Sequence, residues 1–431
     1  MNVALINPRW RFDGSIYFGC REEHLPLELG YARALLERAG HRVLMLDGWL
    51  SQMDDAAMAE AVADFGADMT VVTTAPTYLF WRCTQPELTV PRSFLDALDG
   101  RGGTTVAVGP HPSVTPAATL RKLGADIAVR GECEEPVAML ADGLDPRRLP
   151  SVATLDDDGD LRIGEARHAG RFVDLPALGW PDAWIARHRH HHHRFDAEPA
   201  SPGAEVEASR GCPYACTFCA KIDFRDGYRR RDKALLFEEI DRLIAQGVGY
   251  VYLIDEILLP DKALLEGLAE RPVAFGIQTR IDLWKPAMIE LLGRAGCVSV
   301  EAGVESLTVE GRAELNKRCR METDELTRLL VEARRHIPFV QANLIGTSWD
   351  RPEVVAEWRD AVRAEGVWAN DPVPMYPYPS SPDYRRLFGE PDEHAWERAH
   401  AHYLAEVERF SEIQDARPRP LADLETACAA E

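Results

Sequence analysis

The sequence predicts an α/β chain: a Rossmann-like (flavodoxin-like) parallel sheet over 1–150, a linker over 151–203, a partial (β/α)6 barrel of TIM type over 204–375, and a small helical C-terminal region over 376–431. Three observations carry this. Short apolar, β-branched runs alternate with helix-period segments in both halves of the chain, the pattern of parallel strands joined by crossover helices. Most strands of the first half end in polar, glycine-rich or proline-rich turns. The chain has 431 residues, 46% hydrophobic and 28% charged, which is too long for one ordinary core and ordinary for a globular protein.

In the first half, strands are expected at Asn2–Ile6, His41–Asp47, Asp68–Thr73, Thr104–Val108 and Ala125–Val129. Helices are expected at Leu27–Arg38, Asp54–Phe65, Pro91–Leu98 and Thr115–Leu123. An open parallel sheet binds ligands at the carboxyl ends of its strands. Those ends read Asn7-Pro8-Arg9, Thr73-Thr74-Ala75-Pro76-Thr77, Gly109-Pro110-His111-Pro112-Ser113 and Arg130-Gly131-Glu132-Cys133-Glu134. No G-x-G-x-x-G follows the first strand and no P-loop lysine is present, which argues against a dinucleotide or nucleoside triphosphate site.

The linker contains a hairpin-like stretch near 154–171 and a histidine run, His190–His193. The run invites a metal reading, but neighbours on an extended chain cannot all face one ion, so a solvated linker, or a surface lying over another domain, is the favoured reading.

From Glu205 onward, strands are expected near Glu205–Ser209, Tyr250–Ile254, Val273–Gln278, Val298–Glu301, Phe339–Leu344 and Trp368–Met375. Helices fall between them, near Leu235–Ala245, Lys262–Ala269, Pro286–Arg294, Thr323–Arg335 and Pro352–Ala364. Six such units suit a curved partial barrel better than a flat sheet.

The segment Ser209-Arg210-Gly211-Cys212-Pro213-Tyr214-Ala215-Cys216-Thr217-Phe218-Cys219 follows the first of these strands. Three thiolates at C-x3-C-x2-C spacing suit an iron–sulfur cluster, each ligating one iron. A structural zinc site needs a fourth ligand at matched spacing, and none is present. Three ligands on four irons leave one iron open. Inert buried thiols are the alternative, but three cysteines in eight residues beside glycine and proline make a poor core pattern. The other six, Cys20, Cys83, Cys133, Cys297, Cys319 and Cys428, are scattered.

This motif, with Phe218 before its last cysteine, resembles the radical S-adenosylmethionine superfamily. The resemblance implies a 4Fe–4S cluster on Cys212, Cys216 and Cys219, catalytic and metal-ligating at once, whose open iron chelates the methionine moiety of S-adenosylmethionine (SAM). It also implies that Asp255 and Glu256 lie near the methionine amino group, with Gln278 and Arg280 at the next strand end. Glu305 and Ser306, in Gly303-Val304-Glu305-Ser306, fall near carboxylate and ribose, and Gln341 and Asn343 near adenine.

The first half, in its helix entry Leu25–Gly40, its Gly109-Pro110-His111 turn and its Arg130-Gly131-Glu132-Cys133-Glu134 turn, resembles the cobalamin-binding domain of the same superfamily. The resemblance implies corrin contacts from Thr73, Thr74, Thr77, Gly109, His111, Gly131 and Glu132. The D-x-H-x-x-G that supplies a histidine below cobalt in many cobalamin domains is absent. His24, in the long first loop, is a substitute candidate for that role, and a generic flavodoxin-like module is the alternative for the whole domain.

The implied function is a cobalamin-dependent radical SAM enzyme that methylates an unactivated carbon of a small metabolite, using methylcobalamin and a 5′-deoxyadenosyl radical. Rearrangement, cyclisation or oxidation without methyl transfer is a second reading, and a catalytically inactive cobalamin-binding or sensing protein a third. An electron donor such as flavodoxin or ferredoxin is implied. Tyr376, Tyr378, Tyr384, Trp396, His400 and His402 are candidate substrate-facing residues, although at Trp396, as at Tyr403, helix core is the favoured reading. The net charge of −21 repels phosphate backbones and argues against nucleic acid. No signal peptide, export signal or eighteen-residue apolar run is found, so a cytoplasmic protein without a membrane span is expected.

Overall fold

The computed structural model describes residues 1–10, 24–76, 87–164, 172–188, 201–221, 224–225 and 227–406. Strands β1 (Asn2–Asn7), β2 (Arg42–Asp47), β3 (Met69–Thr73), β4 (Thr104–Val108) and β5 (Ile127–Val129) form a parallel sheet. The hairpin expected beyond residue 150 is there as β6 (Val152–Leu155) and β7 (Leu161–Ile163). It belongs to the same sheet, adding two antiparallel strands to give the order β2-β1-β3-β4-β5-β6-β7. Val3 to Ile6 are fully buried because helices cover both faces of the sheet. Local signals set the helix ends. The Asp54 side chain accepts from Ala57 N at the start of helix Asp55–Phe65, and Gly66 closes it at φ +65°.

The second sheet begins with β8 (Gly203–Val206). A short ribbon follows, β9 (Ser209–Arg210) paired with β10 (Arg229–Arg230). Strands β11 (Tyr250–Leu253), β12 (Ala274–Thr279), β13 (Cys297–Glu305), β14 (Phe339–Leu344) and β15 (Trp368–Ala369) then complete a parallel sheet in the order β15-β14-β13-β12-β11-β8. The six strands advance in chain order across the sheet, as in an open barrel. The last strand is only two residues long; beyond Ala369 the Asn370 side chain takes over, pairing with both Leu344 N and Leu344 O.

The two units share their cores. Leu25, Leu27 and Tyr31 pack with barrel residues such as Val206, Leu236 and Val251, and Phe172, Leu178, Trp180 and Trp184 of the linker are buried in the same cluster. The C-terminal helices Pro382–Phe388 and Ala395–Glu406 turn back onto the first domain, where Tyr376, Trp396 and Tyr403 join Leu29, Val129 and Val137. The His190–His193 run lies outside the described residues. Among the described residues no helix is long and apolar enough to cross a membrane.

Candidate active site

The cysteine loop leaves β9 through Gly211, whose φ of +76° and contact with Gly227 O, 2.3 Å from where a Cβ would stand, admit no side chain. Cys212, Cys216 and Cys219 are half-buried and free of disulfides, and Phe218 is half-buried on the same loop. Burial pushes Cys216 up to about 11 and Cys219 to about 12, and raises Cys212. Without a metal these thiols keep their protons at neutral pH; iron would displace them. Among the described residues no three His, Cys, Asp or Glu side chains converge as they would around one ion. Three thiols on one loop, each able to take a different iron, are a donor set that fits a cluster.

Two flanking elements grip the loop. Thr217 N donates to Leu315 O over 3.0 Å, and Asn316 Nδ2 donates to Ala215 O over 2.6 Å. From the C-terminal region, Asp383 N donates to Thr217 O over 2.9 Å. Asn316 and Arg318 hold φ of +50° and +57°, which carries the buried Lys317 between them to Glu305, 2.8 Å away. The sequence reading missed Asn316 and Lys317; an asparagine just past a helix, where αL backbone is tolerated, was the available signal.

Strand register explains where the carboxylates fall. Leu253 pairs with Val206, so Asp255 stands beside Ala208 and Ser209, accepting from Ala208 N at 2.8 Å and Ser209 Oγ at 2.5 Å. Burial pushes Asp255 up to about 8 despite those bonds. Glu256 accepts from Gly211 N at 2.8 Å, immediately before Cys212. Gln278 Oε1 is buried with no hydrogen-bond partner among the described residues, the state of an acceptor that awaits a ligand. Arg280 lies over the Tyr214 ring at 4.0 Å, pairs with Asp282 at 2.8 Å and donates to Lys317 O. Glu305 adopts φ +64° at the register shift that ends β13. Ser306 is buried, its hydroxyl accepting from Thr308 N. Gln341 Nε2 donates to Asn343 Oδ1.

The edge of the first sheet is also built around close approach. Asn7 ties three strands together: its Nδ2 donates to Asp47, while its Oδ1 accepts from Thr73 Oγ1 and Trp10 Nε1. Thr74 Oγ1 donates to Val108 O. Gly109 sits at φ +120° with Thr74 Oγ1 2.7 Å from where a Cβ would be. Gly131, at φ +77°, donates its N–H to Ser113 Oγ. Two bare backbone turns on one rim suit a flat macrocycle. His111 is buried, its ring tilted against that of Trp396 with centroids 4.4 Å apart. His24 is buried as well, its Nδ1 2.7 Å from Glu205. Thr77 and Cys83 lie outside the described residues. Tyr376, Tyr378, Tyr384, Trp396 and His400 are buried and His402 half-buried; Tyr376 contacts Tyr378, His400 and Tyr403.

The rim and the cysteine loop share one wall. Glu132 and Glu134 meet Arg210, two residues before Cys212, with Glu134 at 2.6 Å and Glu132 at 3.6 Å. Glu132 also pairs with Arg229. Sequence inspection had no signal for the inter-domain pairs of Arg210, Arg225 and Arg229, because Glu134, Glu28 and Glu132 are distant from them along the chain.

Known proteins agree with this arrangement. The B12 binding domain model matches residues 20–141, and the Radical SAM superfamily model matches residues 206–358. The anaerobic magnesium-protoporphyrin IX monomethyl ester cyclase of Cereibacter sphaeroides is 25% identical over 413 residues, 90% of this chain and 64% of its own length. The bacteriochlorophyllide d C-8(2)-methyltransferase of Chlorobaculum tepidum is 26% identical over 345 residues, 76% of this chain and 72% of its own. The fold matches that of the radical S-adenosylmethionine methyltransferase TsrM from Kitasatospora setae, solved with cobalamin and a [4Fe-4S] cluster, at a TM-score of 0.69. That likeness has 19% identity and covers 89% of this chain and 76% of the other. The chain spans 59–64% of the length of the first curated relatives it matches. The chain thus carries a B12 binding domain ahead of a radical SAM domain, with the three-cysteine loop just beyond the first strand of the second sheet.

Proposed function

We propose that this protein is a cobalamin-dependent radical SAM enzyme that methylates an unactivated carbon of a small metabolite. The shared wall carries the reading: Arg210 spans from the turn Gly131–Glu134 of the B12-binding domain to the loop that holds Cys212. Chemistry begun at one site thus ends beside the other, which a methyl transfer between two cofactors requires.

Cys212, Cys216 and Cys219 would hold the cluster. Glu256, Gln278, Arg280, Glu305, Ser306, Gln341 and Asn343, with Asp255 and Phe218 behind them, would line the SAM site. Thr73, Thr74, Gly109, His111, Gly131 and Glu132 would meet the corrin. Bound there, the cluster, SAM and cobalamin would supply reductive sulfonium cleavage and a methyl carrier. The chain's own part is orientation. Glu256 fixes the Gly211 amide, Lys317 neutralises Glu305, and the buried aromatic segment 376–403 helps to keep water out. A single-electron donor such as flavodoxin or ferredoxin completes the scheme.

The cyclase match across 90% of the chain favours a second reading, in which the same cofactors serve cyclisation. Methyl-deuterated SAM separates the two. Label in the product supports methylation; an unlabelled product formed alongside 5′-deoxyadenosine would assign the second reading.

A further inference from the structure

We propose that Arg225 is a positioning residue through which cobalamin binding and SAM binding are energetically coupled. The inference rests on the reading above that both groups bind here. Arg225 is buried at 2% exposure, beyond Cys219. Its Nη2 lies 2.5 Å from Glu28 on helix Leu27–Arg38 of the B12-binding domain. Its Nη1 lies 2.7 Å from Glu207, at the end of β8, and 3.3 Å from Glu256. The other oxygen of Glu256 takes the N–H of Gly211, which precedes Cys212. One guanidinium therefore links the first domain to the amide that starts the cysteine loop.

A second path closes the circuit. Glu207 also pairs with Arg210 at 2.8 Å, and Arg210 reaches Glu134 on the corrin-facing turn. Independently, Phe224 O, the carbonyl preceding Arg225, lies 3.2 Å from where a Cβ on Gly131 would stand. The backbone beside Arg225 thus packs directly on that turn.

Five carboxylates (Glu28, Glu132, Glu134, Glu207, Glu256) face three guanidiniums (Arg210, Arg225, Arg229) in this cluster. Leaving one buried member without its partner is strongly unfavourable. A shift of Glu28 or of the Gly131–Glu134 turn on corrin binding is therefore answered at Glu256 and Gly211 rather than absorbed locally. Lysine at position 225 keeps the charge but lacks the planar fork that meets three carboxylates together.

The test uses anaerobically reconstituted full chain. SAM affinity is measured with and without saturating hydroxocobalamin, by the change in the electron paramagnetic resonance spectrum of the reduced cluster. Wild type is expected to show an affinity ratio of about 5–150, with the reciprocal effect of SAM on cobalamin affinity. Arg225→Lys and the milder, near-isosteric Glu28→Gln should bring the ratio to about one while the affinity for each ligand alone stays near wild type. A wild-type ratio of one, or a ratio that survives in both variants, overturns the proposal and leaves the functional reading intact. Loss of cobalamin binding itself in Glu28→Gln also overturns it, making Glu28 part of the corrin site. A wild-type protein that binds neither group defeats the functional reading, and this inference with it.

Discussion

Asn316 Nδ2 donates to Ala215 O across 2.6 Å, bracing the cysteine loop between its first two thiols. Asn316 stands at φ +50°, where asparagine is among the better-tolerated non-glycine residues. Asn316→Ala loses the bond and strains the turn, at about 2 kcal/mol in all. Faster bleaching of the reconstituted chromophore in air, with secondary structure unchanged, is the expected outcome. A wild-type bleaching rate would show that the brace does not hold the cluster loop.

Gly109→Ala places a methyl 2.7 Å from Thr74 Oγ1 on backbone at φ +120°. Cobalamin affinity is expected to fall at least about tenfold, roughly 1.4 kcal/mol, while iron content stays at the wild-type level. Titration followed by corrin absorbance checks this; equal affinities would remove this turn from the corrin rim.

Trp396→Ala removes a buried indole that packs against His111 and donates to Thr115 Oγ1. Truncating a buried tryptophan costs about 3–5 kcal/mol. Urea denaturation should therefore show a much lower midpoint. A change below about 1 kcal/mol would place Trp396 outside the packed core, as a surface position.

Opposing shifts shape stability against pH. Burial, outweighing Arg225, pushes Glu28 up to about 7; burial also pushes Asp255 up to about 8 and Asp47 to about 6. These groups bind protons more tightly folded than unfolded, so their contribution is complete at low pH and is lost as pH rises through those values. Burial would raise Glu207 too, but Arg210 and Arg225 together hold it at about 2. Its contribution is present above its ordinary value of 4.5 and is lost as pH falls toward 2. The urea midpoint of the metal-free protein should therefore peak near pH ~5 and decline toward pH ~8, with Glu28→Gln flattening the decline around neutrality. A midpoint climbing steadily to pH ~8 would contradict these assignments.

The fold was legible because its signals are local. The apolar runs Val3–Ile6 and Val251–Leu253 and the caps Asp54 and Gly66 each lie within one element. The cysteine spacing was legible for the same reason, since Cys212 to Cys219 span a single loop. The polar strand ends pointed to one mouth, but not to the partners found there. Asp255 accepts from Ala208 and Ser209, and Glu256 from Gly211. The inter-domain arginines were invisible. Arg225 meets Glu28 from the far side of a domain boundary, and no periodicity marks contacts made only by tertiary packing. Core packing was the favoured expectation for Trp396 and Tyr403, which are indeed buried, but the burial of Tyr376 was hidden, because it lies outside any helix pattern.

The central claim is that three thiolates leave one iron open to the amino acid end of SAM. Electron–nuclear double resonance on the reduced, reconstituted protein tests it directly with SAM carrying 15N in its amino group. A 15N hyperfine coupling that appears on SAM addition and is lost in Cys216→Ala is the expected result. A cluster already closed by a fourth side chain, or a spectrum that SAM leaves unchanged, would contradict it.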